Sequence, residues 1–328
     1  MGRRATVLVA VLALTAAACS GSDGAGDAAP TTTTPTTEAP TTTTTVAGSD
    51  GCGGPPPAPD GDRLVRTTIE SSGGLRAYMV YVPDTYEPDS PAPVAYVFHG
   101  ATSNKEQQLI YSHYSSYADA DGALLVLPDA LGTPTRWSPF GPAFAGVEGV
   151  DDLAFFDDLS VAVERDFCID PARVLVTGMS SGGFMAAAVA CTRSDRVAAA
   201  GPVTATVWAE AVCGSAEPVA YAYFHGTADP VVPYDGGANT PGPVEETSQA
   251  WADQNGCDPT PADERVGTEV VHRAWSGCDA PTDLYIVEGG GHTWPGAIPR
   301  ERSGHTTDDI DATEIIWDVF RAAWPDPA

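Results

Sequence analysis

The chain has 328 residues, with 16 Lys and Arg against 44 Asp and Glu, giving a formal net charge of −28 at pH 7. Such a charge repels polyphosphates and anionic membrane surfaces, which sets nucleic acid aside as a partner. Hydrophobic residues make up 43% of the chain, the share of an ordinary globular protein, so most of it can build a core and disorder of the whole is excluded.

At the N-terminus, Arg3 and Arg4 precede an apolar run from Ala5 to Leu14 and the small residues Ala16, Ala17 and Ala18. The run is too short for a spanning helix of about 20 residues, so residues 1–18 read as a signal peptide. Cys19, followed by Ser20, Gly21 and Ser22, resembles the acylated cysteine of a bacterial lipobox. That reading makes the protein an extracellular lipoprotein, tethered to the outer face of the cell membrane. Ala16 stands where the motif prefers Leu, and plain Ala-x-Ala secretion is the alternative. Residues 19–61 are dominated by Thr, Pro, Ala, Gly, Ser and Asp, including TTTTPTTEAPTTTTT from Thr31 to Thr45. They cannot bury apolar area, and the prolines hold them extended, so they read as a tether open to O-glycosylation.

From residue 62 to 328 strands alternate with helices. Leu75–Pro83 is β-rich, Pro93–Gly100 is a buried strand, and helical spacing runs around Asn104–Ala120. A strand at Ala123–Ala130 precedes an amphipathic helix over Asp151–Phe167, acidic in its first turns. Then come a strand at Arg173–Gly178, a small-residue helix at Gly182–Cys191, strands at Pro218–Gly226 and Thr282–Gly290, and a closing helix at Asp308–Ala323. This alternation implies a single α/β domain with a mainly parallel sheet. The tripeptide Phe-His-Gly ends two of the strands, at Phe98–Gly100 and Phe224–Gly226, where α/β sheets place functional loops.

Gly178-Met179-Ser180-Ser181-Gly182 fits G-x-S-x-G with a strand before it and a helix after it. In that context the turn is a nucleophile elbow, and Ser180 projects over a helix N-terminus that favours developing negative charge. A serine hydroxyl needs a base oriented by an acid, in the chain order Ser, Asp or Glu, His. Four histidines follow Ser180. His292 lies in the Gly-rich loop EGGGHTWPG after the last strand, where the base belongs. His272 reads as a strand residue, His305 as solvated and His225 as ordering its own loop. For the acid, Asp229 follows the penultimate parallel strand, with Asp235 and Asp129 as runners-up. The oxyanion hole takes two backbone N–H groups, from Ser181 and from Ala101 in the loop opened by Phe98-His99-Gly100.

VFHGATSN, VDDLAFFDDL, FCIDPARVLVTGMSSGGFMAAAVAC, HGTADPVVPYDGG and GGGHTWPG, in this order, resemble the polyhydroxybutyrate depolymerase/feruloyl esterase group of α/β-hydrolase serine esterases. The likeness runs from about Leu75 to Trp317. It implies the α/β-hydrolase fold and a carboxylic-ester hydrolase that works without cofactor or metal through an acyl-enzyme. It puts the nucleophile at Ser180, the acid at Asp229, the base at His292, and the oxyanion donors at Ala101 and Ser181. The family often has Cys or another small residue where Ala101 stands.

Seven cysteines are present. With Cys19 lipidated, six remain to pair in an oxidising compartment, and no CxxC spacing points to zinc. The helix after the elbow returns toward the start of the preceding strand, which favours Cys168–Cys191. Cys257 and Cys278 bracket a polar segment, leaving Cys52 with Cys213. Trp137 and Trp294 sit in loops expected at the same sheet edge and could wall an aromatic acyl group or a sugar face, the alternative being ordinary packing.

The expected function is hydrolysis of feruloyl or acetyl esters on polysaccharide. Solid polyester ranks lower because the chain ends just after its last helix, although hydroxyalkanoate oligomers remain open. The rivals are a cell-envelope acyltransferase with the same triad and a non-catalytic binding protein on the same fold.

Overall fold

The computed structural model describes residues 48–139, 147–205, 217–237, 240, 242–299 and 303–324. Among them the chain makes one ten-stranded sheet in the order β1-β2-β4-β3-β5-β6-β7-β10-β9-β8. The strands are β1 (Leu64–Ser71), β2 (Gly74–Tyr81), β3 (Ala92–Phe98), β4 (Leu124–Pro128), β5 (Ile169–Met179), β6 (Ala199–Val203), β7 (Ala220–Gly226), β8 (Ala262–Val266), β9 (Val270–Ala274) and β10 (Thr282–Val287). The six central strands, from β4 to β10 in that order, run parallel. The pairs β1/β2 and β9/β8 close the two sides antiparallel. This is the mainly parallel sheet that the alternation implied, in the α/β-hydrolase fold that the resemblance implied.

The central strands read as continuous apolar runs because both faces are covered. Val94, Tyr96 and Phe98 of β3 join one hydrophobic cluster, and Ala95 and Val97 join the other. Helix α3 (Asp152–Asp166) covers the first face with Phe155, Phe156, Leu159 and Val163, a helical spacing that puts all four on one stripe. The carboxylate of Asp151 caps it, accepting from the Ala154 N–H at 3.0 Å. On the same face lies α5 (Val244–Gln254), through Val244 and Trp251. The opposite face is covered by α1 (Lys105–Ser112), α2 (Ser115–Asp121) and α6 (Ala312–Ala322), whose Ile316, Trp317 and Phe320 are fully buried. Each such ring or branched side chain contributes about 2–3 kcal/mol of burial.

The helical stretch expected near Asn104–Ala120 is two helices, broken where His113 takes a left-handed φ of 42°. Strand β6, read as AAGPV, escaped notice because a Gly and a Pro dilute a short apolar run, and β8 because its ADERV is exposed edge. His272 does lie in a strand, β9.

Residues 48–61, expected to be tether, are fastened to the domain. Ser49 donates its N–H to the Ile169 carbonyl at 3.0 Å and its hydroxyl to the Phe167 carbonyl at 2.7 Å, and Gly51 N–H reaches Glu164 at 2.9 Å. Cys52 is disulfide-bonded to Cys168. That corrects two expected bridges, Cys168–Cys191 and Cys52–Cys213: the Ser49–Cys52 turn, not the end of α4 (Ser181–Thr192), reaches the start of β5. Cys257–Cys278 forms as expected. Cys191 is disulfide-bonded as well, and the two cysteines left over, Cys19 and Cys213, lie outside the described residues, as does the expected signal peptide. Among the described residues no helix is long and apolar enough to cross a membrane.

Candidate active site

Strand β5 ends at Met179 and α4 begins at Ser181, so Ser180 alone makes the turn. Its backbone sits at φ 55°, ψ −122°, a conformation that costs a non-glycine residue free energy and persists where the surroundings impose it. Here Ser180 N–H donates to the Val203 carbonyl of β6 at 2.9 Å, and its own carbonyl accepts from Phe184 N–H at 2.9 Å. A Cβ at Gly182 would collide with the Phe98 and His99 carbonyls. Only glycine lets α4 start this close to β3, which explains the second glycine of the motif. Ser181, the first helical residue, has an N–H without an intrahelical acceptor.

The loops that carry Asp229 and His292 follow the adjacent parallel strands β7 and β10. A Cβ at Gly226 would run into the Gly290 carbonyl, so glycine at the end of β7 allows the two loops to touch. Thr227 N–H donates to Val287 and Ala228 N–H to Gly290, both at 2.9 Å, stitching them together. The result is a hydrogen bond of 2.7 Å between His292 Nδ1 and Asp229 Oδ2, both residues buried. The other carboxylate oxygen of Asp229 accepts from the N–H groups of Val231 and Val232 at 2.8 and 2.9 Å. Burial pushes the Asp229 carboxyl up, but the hydrogen bond and charge of His292 and the two backbone donors outweigh it, and the group stays below its ordinary value. An ionised Asp229 fixes the proton on Nδ1 and leaves Nε2 free to act as a base. Among the described residues no hydrogen bond joins Ser180 Oγ to His292; such bonds are often long without substrate.

His225 supports this loop from below. Its Nε2–H donates to the Val232 carbonyl at 2.8 Å, while Tyr223 OH donates to Nδ1 at 2.5 Å. The imidazole is buried, its pKa lowered to about 4 by desolvation. Both runners-up for the acid stand elsewhere: Asp129 is paired with Lys105 at 2.5 Å, and Asp235 is exposed. His305 is exposed and paired with Glu269 at 2.7 Å.

Gly100, the residue before Ala101, lies beside the elbow, since a Cβ there would stand 3.6 Å from that of Ser180. The two tryptophans do not form a substrate wall. Trp137 is 2% exposed and packs in one hydrophobic cluster, Trp294 is 0% exposed and packs in the other, on opposite faces of the sheet. Trp137 stacks on Phe155 with ring centroids 6.2 Å apart, and Trp294 donates Nε1–H to Thr313 Oγ1 at 2.9 Å. Sequence reasoning also missed Arg76, whose buried guanidinium pairs with Asp152 at 2.8 Å. The VDDLAFFDDL motif that carries this aspartate was the available signal.

A strained serine over a helix N-terminus, with a buried carboxylate–imidazole pair at the same sheet edge, is equipped for acyl transfer. No protein-family model matches the chain. Feruloyl esterase C of Emericella nidulans is 31% identical over 257 residues, spanning 76% of this chain and 84% of that protein. Feruloyl esterase D of Neurospora crassa is 27% identical over 283 residues, spanning 82% and 88%. Among solved structures, an acetyl xylan esterase from Aspergillus awamori superposes with a TM-score of 0.57 at 19% identity, covering 73% of this chain and 96% of that one. At that identity the likeness bears on the fold alone.

Proposed function

The chain belongs to the feruloyl esterase-like family of α/β-hydrolase esterases, and from that premise we propose that it is an exported serine esterase that hydrolyses feruloyl or acetyl esters of polysaccharide. Ser180 Oγ attacks the ester carbonyl as His292 Nε2 takes its proton. The N–H groups of Ala101 and Ser181 hold the oxyanion of the tetrahedral intermediate. Its collapse breaks the bond to the alcohol oxygen, which leaves with the proton from His292. Water then attacks the acyl-serine, giving its proton to His292, and the second collapse frees the acid and returns the proton to Ser180. Asp229 holds the imidazole and stabilises its charged form throughout.

The observation that carries this reading is the buried 2.7 Å pair of Asp229 and His292 on the strand edge that presents Ser180. Disulfides among the described residues support an oxidising compartment outside the cytoplasm. We read residues 1–18 as signal peptide, Cys19 as the lipidated anchor, the residues up to 47 as tether, and the remainder as the catalytic domain.

Initial rates on methyl ferulate, an acetylated xylo-oligosaccharide and a hydroxybutyrate trimer test the substrate class. The first or second should be cleaved fastest, with Ser180→Ala at least about 10³-fold slower. Fastest cleavage of the trimer would overturn the polysaccharide-ester reading. Ester formed on a sugar acceptor, with no free acid released, would overturn hydrolysis.

A further inference from the structure

The two Phe-His-Gly copies bury two imidazoles, and the one beside the elbow bears on the oxyanion hole. His99 is fully buried. Its Nε2 lies 3.0 Å from the Ala130 N–H, which can only donate, so Nε2 accepts and the proton sits on Nδ1. Nδ1–H then donates to the Gly100 carbonyl at 2.7 Å. Ser103 N–H reaches the same oxygen at 3.2 Å, and Trp137 Nε1–H holds the preceding carbonyl, that of His99, at 2.9 Å. Trp137 is fixed in turn from α3. Phe155 stacks on its ring, and the Arg76-paired Asp152 accepts from the neighbouring Ser138 N–H at 2.7 Å.

Two consecutive carbonyls are therefore tied down by side chains. A trans peptide points its N–H opposite to its C=O, so holding the Gly100 oxygen fixes the direction of the Ala101 N–H. Among the described residues nothing accepts from that N–H, and Gly100, the other half of the same peptide, stands beside Met179 and Ser180. If the peptide turned over, a carbonyl dipole would face the developing oxyanion in place of a donor. We infer that His99, through its Nδ1–H and with Trp137 behind it, is a positioning residue that aims the Ala101 amide at the oxyanion. The inference rests on the esterase reading above. Burial keeps the imidazole neutral, with its pKa below the ordinary value, so the arrangement holds across the neutral range.

Two near-isosteres separate this role from simple support. His99→Asn places an amide N–H near the Nδ1 position and loses the acceptor for Ala130. His99→Gln places an acceptor near Nε2 and loses the donor to Gly100. The readout is the rate constant for phosphonylation of Ser180 by a fluorophosphonate, followed by intact mass, because that reaction also develops an oxyanion and needs no knowledge of the natural ester. His99→Asn should react within about 10-fold of the unaltered protein and His99→Gln about 10²-fold slower or more. On methyl ferulate the same loss should fall on kcat and leave KM within a few-fold. A His99→Gln variant as fast as His99→Asn, at matched thermal midpoints, overturns the inference. If the unaltered protein is labelled at Ser180 but cleaves no ester, the hydrolytic reading fails while the ratio of labelling rates still decides the role of His99. If Ser180 is not labelled at all, both fall.

Discussion

The imidazole of His225 stays neutral because it is buried between Tyr223 OH and the Val232 carbonyl, and its two ring nitrogens have fixed and different roles. This has a thermodynamic consequence. With a folded pKa of about 4 against an ordinary value of 6.5, the unfolded chain takes up a proton first as the pH falls. The contribution of this group is present in full well above pH 6.5 and is lost as the pH falls from there to about 4, by about 3 kcal/mol. Urea unfolding at pH 7, 5.5 and 4.5 should show that loss, and His225→Gln, which keeps a donor for Val232, should flatten it. An unchanged slope would mean that another group titrates. At this scale the sequence was informative about Ser180, Asp229 and His292, because each follows a strand in a loop of recognisable chemistry. It was silent on His99 and Arg76, whose importance lies in which backbone atoms and carboxylates they meet across the fold. For Trp137 and Trp294 it left a substrate wall and ordinary packing both open, and the second holds, since both rings close into the two cores.

At the scale of elements, the elbow depends on β3 and α4 approaching each other without side chains between them. Gly182→Ala would drive a methyl group into the carbonyls of Phe98 and His99 at the end of β3. That overlap is with backbone and cannot be relieved by a rotamer, so the loss should exceed the ~1–3 kcal/mol usual for overpacking. Soluble yield and thermal midpoint should both fall, while Gly289→Ala, with nothing within 4 Å of its added Cβ, serves as a milder comparison strained only by its φ of 73°. Equal behaviour of the two would contradict a close-approach role. Strands with both faces covered were easy to read, since β3 and β4 are unbroken apolar runs and β7 is one up to His225. The exposed β8 and the Gly-Pro-containing β6 lacked that pattern, and only their neighbours in the sheet define them.

For the whole molecule, the bridge from Cys52 to Cys168 closes 116 residues of chain, whereas Cys257–Cys278 closes 21. On loop-closure entropy the longer bridge contributes about 5 kcal/mol and the shorter about 3. Cys52→Ser should therefore lower the thermal midpoint more than Cys278→Ser, and removal of the residues before 62 should cost at least as much. The reverse order would show that native packing around Cys52 stands without the bond. Composition alone put these residues in the tether, because Gly and Pro dominate there. A cysteine and a serine are enough to fasten the segment, and no periodic pattern announces them. The pairing of cysteines was likewise beyond the sequence, where helix direction alone could not show that the Ser49–Cys52 turn reaches Cys168 first.

The proposed role of Ser180, a nucleophile activated by His292 and Asp229, is tested by reacting the full chain with a fluorophosphonate and locating the adduct by peptide mass mapping. One adduct per chain is expected, on the peptide containing Ser180, with labelling at least about 10³-fold slower in His292→Ala. An adduct on any other residue, or labelling of His292→Ala at the rate of the unaltered protein, would contradict it.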